Sequence, residues 1–301
     1  MADARKRLGV IGAGNIGGAI AANLLADGHA VTVYDTDAAR VAPLVRSGAT
    51  VVGSAADVGA RSEITFTSLP TPAIMEVVAE AWSGGAARGA ILVDLSTNAP
   101  ATIRAVGARL AAAGRHLLEA PLTGGAPGAK ARMLVFMVGG EPAVYERVRP
   151  FLEKLGRATF HLGALGLGNT AKLVNSLLAF TSTWISLEGL AVAARTGIDL
   201  RTMVDVVRTG GAGNFFIDRM VEGINERGRP TQFALALAAK DAGLLLEVAR
   251  EAGVPVPVAA EIAQTLVAAV GAGLGGRDFT DLVELIERQA GVKLTLPPPR
   301  G

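Results

Sequence analysis

One short stretch, GVIGAGNIGG, constrains this chain more than any other, because of what lies on either side of it. Leu8 to Ile11 is an apolar run of strand length, the residues after Ile16 are alanine-rich and helical in character, and His29 to Tyr34 alternates β-branched residues up to Asp35. Gly12, Gly14 and Gly17 therefore stand as G-x-G-x-x-G between a strand and a helix, with an acid about twenty residues later at the end of a second strand. In that setting each glycine has a task. Gly12 makes the tight turn, Gly14 lets the backbone approach a pyrophosphate, and Gly17 lets the helix pack against the strand. The helix that begins beyond Asn15 and Ile16 turns unpaired N–H groups toward the phosphates. Together these features read as half of a dinucleotide-binding domain.

A secretory leader is the competing interpretation. Arg5, Lys6 and Arg7 precede an uncharged run from Leu8 to Ala26, and Ala19-Ile20-Ala21 has the small residues of a cleavage site. Gly9, Gly12, Gly14, Gly17, Gly18, Asn15 and Asn23 break up any continuous apolar helix there, and the second strand follows directly. Asp35 is placed to accept hydrogen bonds from ribose hydroxyls and to repel a 2′-phosphate, which favours NAD over NADP. The plainer alternative is a solvated turn aspartate opening Asp35-Thr36-Asp37, and Arg40 nearby keeps NADP use open.

Apolar strands near Val10, Val33, Thr65, Leu92, Leu117 and Leu134 alternate with alanine-rich helical segments, which implies a parallel doubly wound sheet. Ligands of such sheets sit beyond the carboxyl ends of the strands, so the loops at Gly12, Ser68-Leu69-Pro70, Ser96-Thr97 and Pro121 to Gly125 are expected to line one crevice. After Gly163 the pattern becomes helical, with segments expected near 169–196, 200–208, 214–226, 232–252, 257–271 and 278–290. The expected fold class is α/β: a Rossmann domain over 1–163, then an all-α substrate and oligomerisation domain over 164–296 joined through a long interdomain helix. Residues 297–301, PPPRG, read as a disordered tail.

Composition narrows the function classes. Aromatics make up only 4% of the chain, so stacking platforms for nucleic acid are not expected. The net charge of +2 comes without a long like-charge block, and neither a nucleic-acid nor a membrane partner is inferred. The uncharged run from Leu173 to Leu187 is shorter than the ~20 residues a bilayer requires. Absence of cysteine removes disulfides, thiolate catalysis and cysteine zinc sites, and a cytoplasmic location is expected. His29, His116 and His161 have no metal-ligand spacing and read as structural, so no metal is expected.

Hydride chemistry needs a group to exchange the alcohol proton. Lys172, in GLGNTAKLVNS near the start of the long helix, has almost wholly apolar surroundings, and Asn175 and Ser176 lie on its helical face. A partly desolvated lysine beside a cationic nicotinamide would have the lowered pKa that proton shuttling requires. A surface lysine snorkelling from the helix start is the alternative, and the segment by itself leaves both open.

GVIGAGNIGGAIAANLLADGHAVTVYD, TSLPTP, VDLSTNAP, EAPLTGGAPGA, GLGNTAKLVNS and FALALAAKDAGLLLEVAREAGVPVP, in that order and across nearly the whole chain, resemble the β-hydroxyacid dehydrogenase family. That family includes 3-hydroxyisobutyrate dehydrogenases and tartronate semialdehyde reductases. The resemblance implies that Gly12, Gly14, Asn15, Ile16, Gly17, Asp35, Leu69, Pro70, Ser96 and Thr97 contact the cofactor. It implies Thr123, Gly124 and Gly125 as the substrate-binding loop, Lys172 as the catalytic lysine, and Phe233, Lys240 and Asp241 as the F-x6-K-D stretch, whose lysine lies by the active site. Lys240 is thereby assigned to both cofactor and substrate.

The chain departs from the family pattern in three places. Ser176 replaces the asparagine that usually binds substrate beside the lysine, and its hydroxyl has a shorter reach, so Asn175 or a water would help. Arg132-Met133 replaces a common glycine-threonine; Arg132 either offers donors to an anionic substrate or is solvated. Thr123 replaces serine and keeps the hydroxyl. The expected activity is NAD-preferring interconversion of a small 3-hydroxy acid with its semialdehyde or 3-keto acid, in a homodimer or homotetramer. Alternatives are a reductase of the same fold acting on another carbonyl or an imine, and a non-catalytic dinucleotide sensor. A phosphogluconate-type decarboxylating enzyme would usually carry a longer helical domain.

Overall fold

The computed structural model describes residues 6–296, and the proline-rich tail 297–301 lies outside them. By its internal contacts the chain divides into two compact units between Lys172 and Leu173.

The first unit is built on strand and helix in alternation: β1 (Arg7–Ile11), α1 (Gly17–Ala26), β2 (Ala30–Tyr34), α2 (Ala38–Arg46), β3 (Thr50–Val51), α3 (Ala55–Arg61), β4 (Ile64–Thr67), α4 (Pro72–Gly85), β5 (Ile91–Asp94), α5 (Pro100–Ala112) and β6 (His116–Glu119). These six strands form a parallel sheet in the order β3-β2-β1-β4-β5-β6, and the order reverses at β1, where the glycine turn lies. Strands β1, β4 and β5 are almost wholly buried because both faces are covered. One face packs on Val58 of α3, Met75 and Trp82 of α4, and Ile103 and Val106 of α5. The other packs on Ile20 and Leu24 of α1 and Val41 and Leu44 of α2.

Beyond β6 the chain departs from a purely parallel design. It forms β7 (Leu122–Thr123), α6 (Gly125–Lys130), β8 (Leu134–Val138), α7 (Pro142–Leu155) and β9 (Gly156–His161). The strand expected near Leu134 belongs to a separate sheet, β7-β8-β9, antiparallel at β7/β8 and parallel at β8/β9. Paired N–H···O bonds between Glu119 and Gly139 stitch this sheet to the end of β6.

Strands give way to helix at α8 (Leu167–Arg195), and the contact division falls inside that helix rather than at the 163/164 change of pattern. The second unit continues with α9 (Leu200–Thr209), α10 (Phe215–Asn225), α11 (Leu235–Glu251) and α12 (Pro257–Ala269). A π-helical turn (Val270–Leu274), a 3₁₀ turn (Phe279–Leu282) and α13 (Val283–Ala290) complete it. Two helical stretches, Leu167–Arg195 and Pro257–Leu274, are long and apolar enough to cross a membrane by length and composition. Both supply the core of the helical unit, through Phe180, Trp184, Leu187 and Leu190 from the first and Ile262, Leu266 and Leu274 from the second.

Candidate active site

The glycine turn is shaped by close contacts that only glycine allows. Gly12 has φ +88°, and a Cβ there would lie 2.3 Å from the carbonyl oxygen of Ser68; one on Gly17 would lie 1.9 Å from that of Gly12. Gly14 faces open space instead, with Arg40 Nη1 the nearest atom at 3.8 Å from its notional Cβ. That opening lies before the first turn of α1, where Ile16 occupies the cap position and the first turn carries no acid. Asp35 is built into the same loop. Its Oδ2 accepts from Ala13 N at 2.6 Å and its Oδ1 from Asp37 N at 2.8 Å, while Arg40 Nη1 stands 3.8 Å from Oδ2. The residues fit a dinucleotide: space at Gly14, N–H groups at the helix start, and a carboxylate at the end of β2.

The neighbouring loops are tied together by buried hydrogen bonds. Ser68 N donates to Ile11 O, and Leu69 N donates to Ser96 Oγ at 2.8 Å. Ser96 Oγ and Thr67 Oγ1 donate to Asp94 Oδ1 at 2.7 and 2.8 Å, and Asn98 Nδ2 donates to Asp94 Oδ2 at 2.7 Å. The chain of bonds continues from Asn98 N to Asn169 Oδ1 at 2.7 Å, and from Asn169 Nδ2 to Glu119 Oε2 at 2.5 Å. Glu119 also accepts N–H groups from Gly166, Gly168 and Asn169 at the start of α8. Burial pushes both carboxyl groups above their ordinary range, against the pull of these hydrogen bonds. Asp94, Asn98, Glu119 and Asn169 were not singled out from sequence, although all lie within DLSTN, EAPLTGG and GLGNTAK. The available signal was an acid closing each of two apolar strand runs.

Of the other cofactor residues, Leu69 packs partly against the sheet's core while Asn15 and Pro70 are exposed; Thr97 is half-buried. Thr123 pairs with Val135 in the second sheet, and Gly124 and Gly125 follow with φ +119° and +61°. Asn23 Nδ2 of α1 donates to Ala129 O at 2.8 Å, and so anchors the helix that follows this loop. Arg132 does not offer its guanidinium to a substrate. It grips both oxygens of Asp27 at 2.8 and 2.9 Å and also donates to Asn23 O and Lys154 O. The hydrogen-bonded guanidinium holds Asp27 below its usual carboxylate range.

Lys172 is half-buried on α8 and belongs to the same unit as the cofactor loops. Asn175, Ser176, Phe233, Lys240 and Asp241 belong to the second unit. Asn175 is exposed and Ser176 buried, so the two residues flanking the lysine's direction on the helix differ in surroundings. Lys240 Nζ lies 3.0 Å from Oδ1 of buried Asp241. Phe233 is half-buried against the helical core, clustered with Phe180 and Phe279. His29 packs edge-on against Phe151 and His161 stacks on Tyr145, and no metal-holding cluster occurs among the described residues.

Residues 7–163 match the model of the NAD-binding domain of 6-phosphogluconate dehydrogenase, and residues 166–286 match the model for NAD-binding of NADP-dependent 3-hydroxyisobutyrate dehydrogenase. The chain belongs to the β-hydroxyacid dehydrogenase family. This family comprises NAD(P)-dependent oxidoreductases of CH–OH groups, and NAD(P) is the cofactor of this member. The chain is 35% identical to 3-hydroxyisobutyrate dehydrogenase of Pseudomonas aeruginosa, over 91% of this chain and 96% of that one. It is 32% identical to 2-(hydroxymethyl)glutarate dehydrogenase of Eubacterium barkeri, over 96% and 97%. Among solved structures, 3-hydroxyisobutyrate dehydrogenase of Mycobacterium tuberculosis with L-serine superposes with a TM-score of 0.86 at 26% identity, covering 94% of this chain and 99% of that one.

Proposed function

We propose that this β-hydroxyacid dehydrogenase interconverts a small 3-hydroxy acid and its semialdehyde or 3-keto acid, prefers NAD over NADP, and uses Lys172 as its acid/base group. The observation that carries this reading is the placement of Lys172 on a helix whose first turn is hydrogen-bonded, through Asn169 and Asn98, to the cofactor loops. Bound NAD(P) supplies the hydride acceptor for oxidation and the donor for reduction. Lys172 takes the hydroxyl proton in one direction and returns it in the other; its ammonium stabilises negative charge growing on that oxygen. The Thr123 hydroxyl and the backbone at Gly124 and Gly125 hold the substrate carboxylate, with Asn175, Ser176 and Lys240 in supporting roles. Asp35, already fixed by Ala13 and Asp37, receives the ribose hydroxyls and disfavours a 2′-phosphate. Exposed apolar residues on α8, among them Val174, Leu178, Ile185 and Val192, support a homodimer or homotetramer.

The test is initial-rate turnover on a panel of short 3-hydroxy acids with NAD and with NADP, for the parent and for Lys172→Ala. The expected result is faster turnover with NAD and its loss in Lys172→Ala with cofactor binding intact. Turnover surviving that substitution removes Lys172 as the acid/base group. Activity confined to other carbonyls or imines replaces the substrate class.

A further inference from the structure

We propose that Asn169 is a positioning residue for the reaction: clamped between Asn98 and Glu119, it fixes the turn of α8 that carries Lys172 relative to the loops that hold the cofactor. The inference rests on the assignment of Lys172 as the acid/base group.

A helix start is ordinarily satisfied by water or by a nearby serine, threonine or aspartate, which costs little. Here the capping carboxylate comes instead from the end of β6, distant in sequence. Glu119 accepts from Gly166 N, Gly168 N and Asn169 N, and the bond to Gly168 spans 49 positions. The residues of this clamp are fully buried, so Glu119 is held away from bulk solvent and against the cost of desolvation. A local cap would satisfy the same N–H groups but would leave the helix free to roll on the sheet. The long-range one ties it down.

Asn169 completes the connection on both sides. Its Oδ1 accepts from Asn98 N and its Nδ2 donates to Glu119, so the amide can neither flip nor slide without losing a buried bond. Asn98 leads on through Asp94 and Ser96 to Leu69 N in the second cofactor loop. The packing agrees with this. A Cβ on Gly168 would lie 2.5 Å from Met137 O and 3.0 Å from Gly139 N, so the helix start presses directly on the end of β8. Lys172 follows Asn169 by one helical turn on the same face, so a roll of that turn moves the ammonium directly.

Four variants test this: Asn169→Asp, Asn169→Ala, Glu119→Gln, and Glu119→Gln combined with Asn169→Asp. Asn169→Asp sets two carboxylates together. The combined change exchanges amide and carboxylate, so the bond between the two side chains can form again and Asn98 N keeps an acceptor, while the bond from the residue-169 N–H to Oε2 is lost. Readouts are kcat, KM for the hydroxy acid, the NAD dissociation constant and the midpoint of thermal unfolding. Misplacing a reacting group by about 1 Å costs ~100-fold in rate. Asn169→Asp is therefore expected to lower kcat by about that factor with little change in NAD affinity, Asn169→Ala to lower it by ~10-fold, and the exchange to restore part of the loss.

A lowered midpoint with unchanged kcat in Asn169→Ala overturns the positioning role. Turnover lost in Lys172→Ala but intact in Asn169→Ala overturns it alone. Turnover that survives Lys172→Ala overturns the lysine assignment together with the inference built on it.

Discussion

Buried carboxylates are handled in opposite ways in the two units. In the first, Asp94 and Glu119 are wholly buried among neutral donors, four hydrogen bonds each, and burial pushes both pKa values up. In the helical unit, Asp278 meets Arg229 at 3.1 Å, Glu287 meets Arg227 at 2.8 Å and Lys293 at 2.9 Å, and Asp281 meets Arg277 at 3.0 Å. Burial would raise Asp278 too, but bonds from Thr280, Gln232 N and Phe233 N outweigh it and bring the pKa down to about 2. The sign of each shift follows from whether the hydrogen bonds outweigh desolvation, as they do at Asp278 and do not at Asp94 or Glu119. The helical unit uses carboxylates to staple segments distant in sequence, 227–233 to 278–294. The first unit uses them to hold loops in place, and leaves their charge offset only by dipoles.

The largest test of that contrast is a pair of matched substitutions. Asp278→Asn leaves the guanidinium of Arg229, itself only 11% exposed, without its buried partner, and is expected to cost about 3–5 kcal/mol. Asp94→Asn should cost under ~1 kcal/mol at neutral pH, because a neutral amide avoids the desolvation that burial imposes on the carboxylate. Turning the Asn98 amide over also brings Asn98 Oδ1, buried without a partner, toward the new amide. The two tryptophans report the units separately, Trp82 in α4 and Trp184 in α8. Urea unfolding of single-tryptophan variants reads each cost, and equal costs would erase the contrast.

The pH dependence is a smaller effect with opposite signs. Asp278, lowered from 3.8 to about 2, contributes stability that is present above pH 4 and lost as the pH falls toward 2, up to about 2 kcal/mol. Asp94 is raised, so its contribution is present below pH 4 and is lost as the pH rises through its folded value. The stability difference between parent and Asp94→Asn, followed at Trp82, should therefore move in the parent's favour as the pH falls from 7 to 4. The difference between parent and Asp278→Asn, followed at Trp184, should shrink only below pH 4. A shared direction would break the comparison.

Smallest is Arg132→Ala. Its pair with Asp27 is partly exposed, at 33% and 20%, so the loss should be about 1 kcal/mol with no change in substrate preference. A changed preference on the hydroxy-acid panel would return Arg132 to the site.

The cofactor turn was legible in the sequence because its causes are local. Gly12 needs φ above zero, and Gly17 needs a close approach to Gly12 within the same loop. The helical segments were legible from their period, within a few residues of α8 to α13. Less was visible after β6. The two-residue strands β3 and β7 are too short to show a period, and half-exposed β9 lacks an apolar run. The mixed second sheet went unread for that reason. Arg132 stayed ambiguous because its partner Asp27 lies 105 positions away.

The sequence by itself determined the glycine turn, the alternation of the longer strands with helices, and the motifs that mark the family, since each depends on backbone conformation or periodicity within a few residues. Only the tertiary structure decided which acids are buried, which of them meet a cation, and how Asn98 and Glu119 come to grip the first turn of α8. The free energy of a charge or hydrogen bond depends on atoms within a few ångströms, and here those atoms come from segments tens of residues apart.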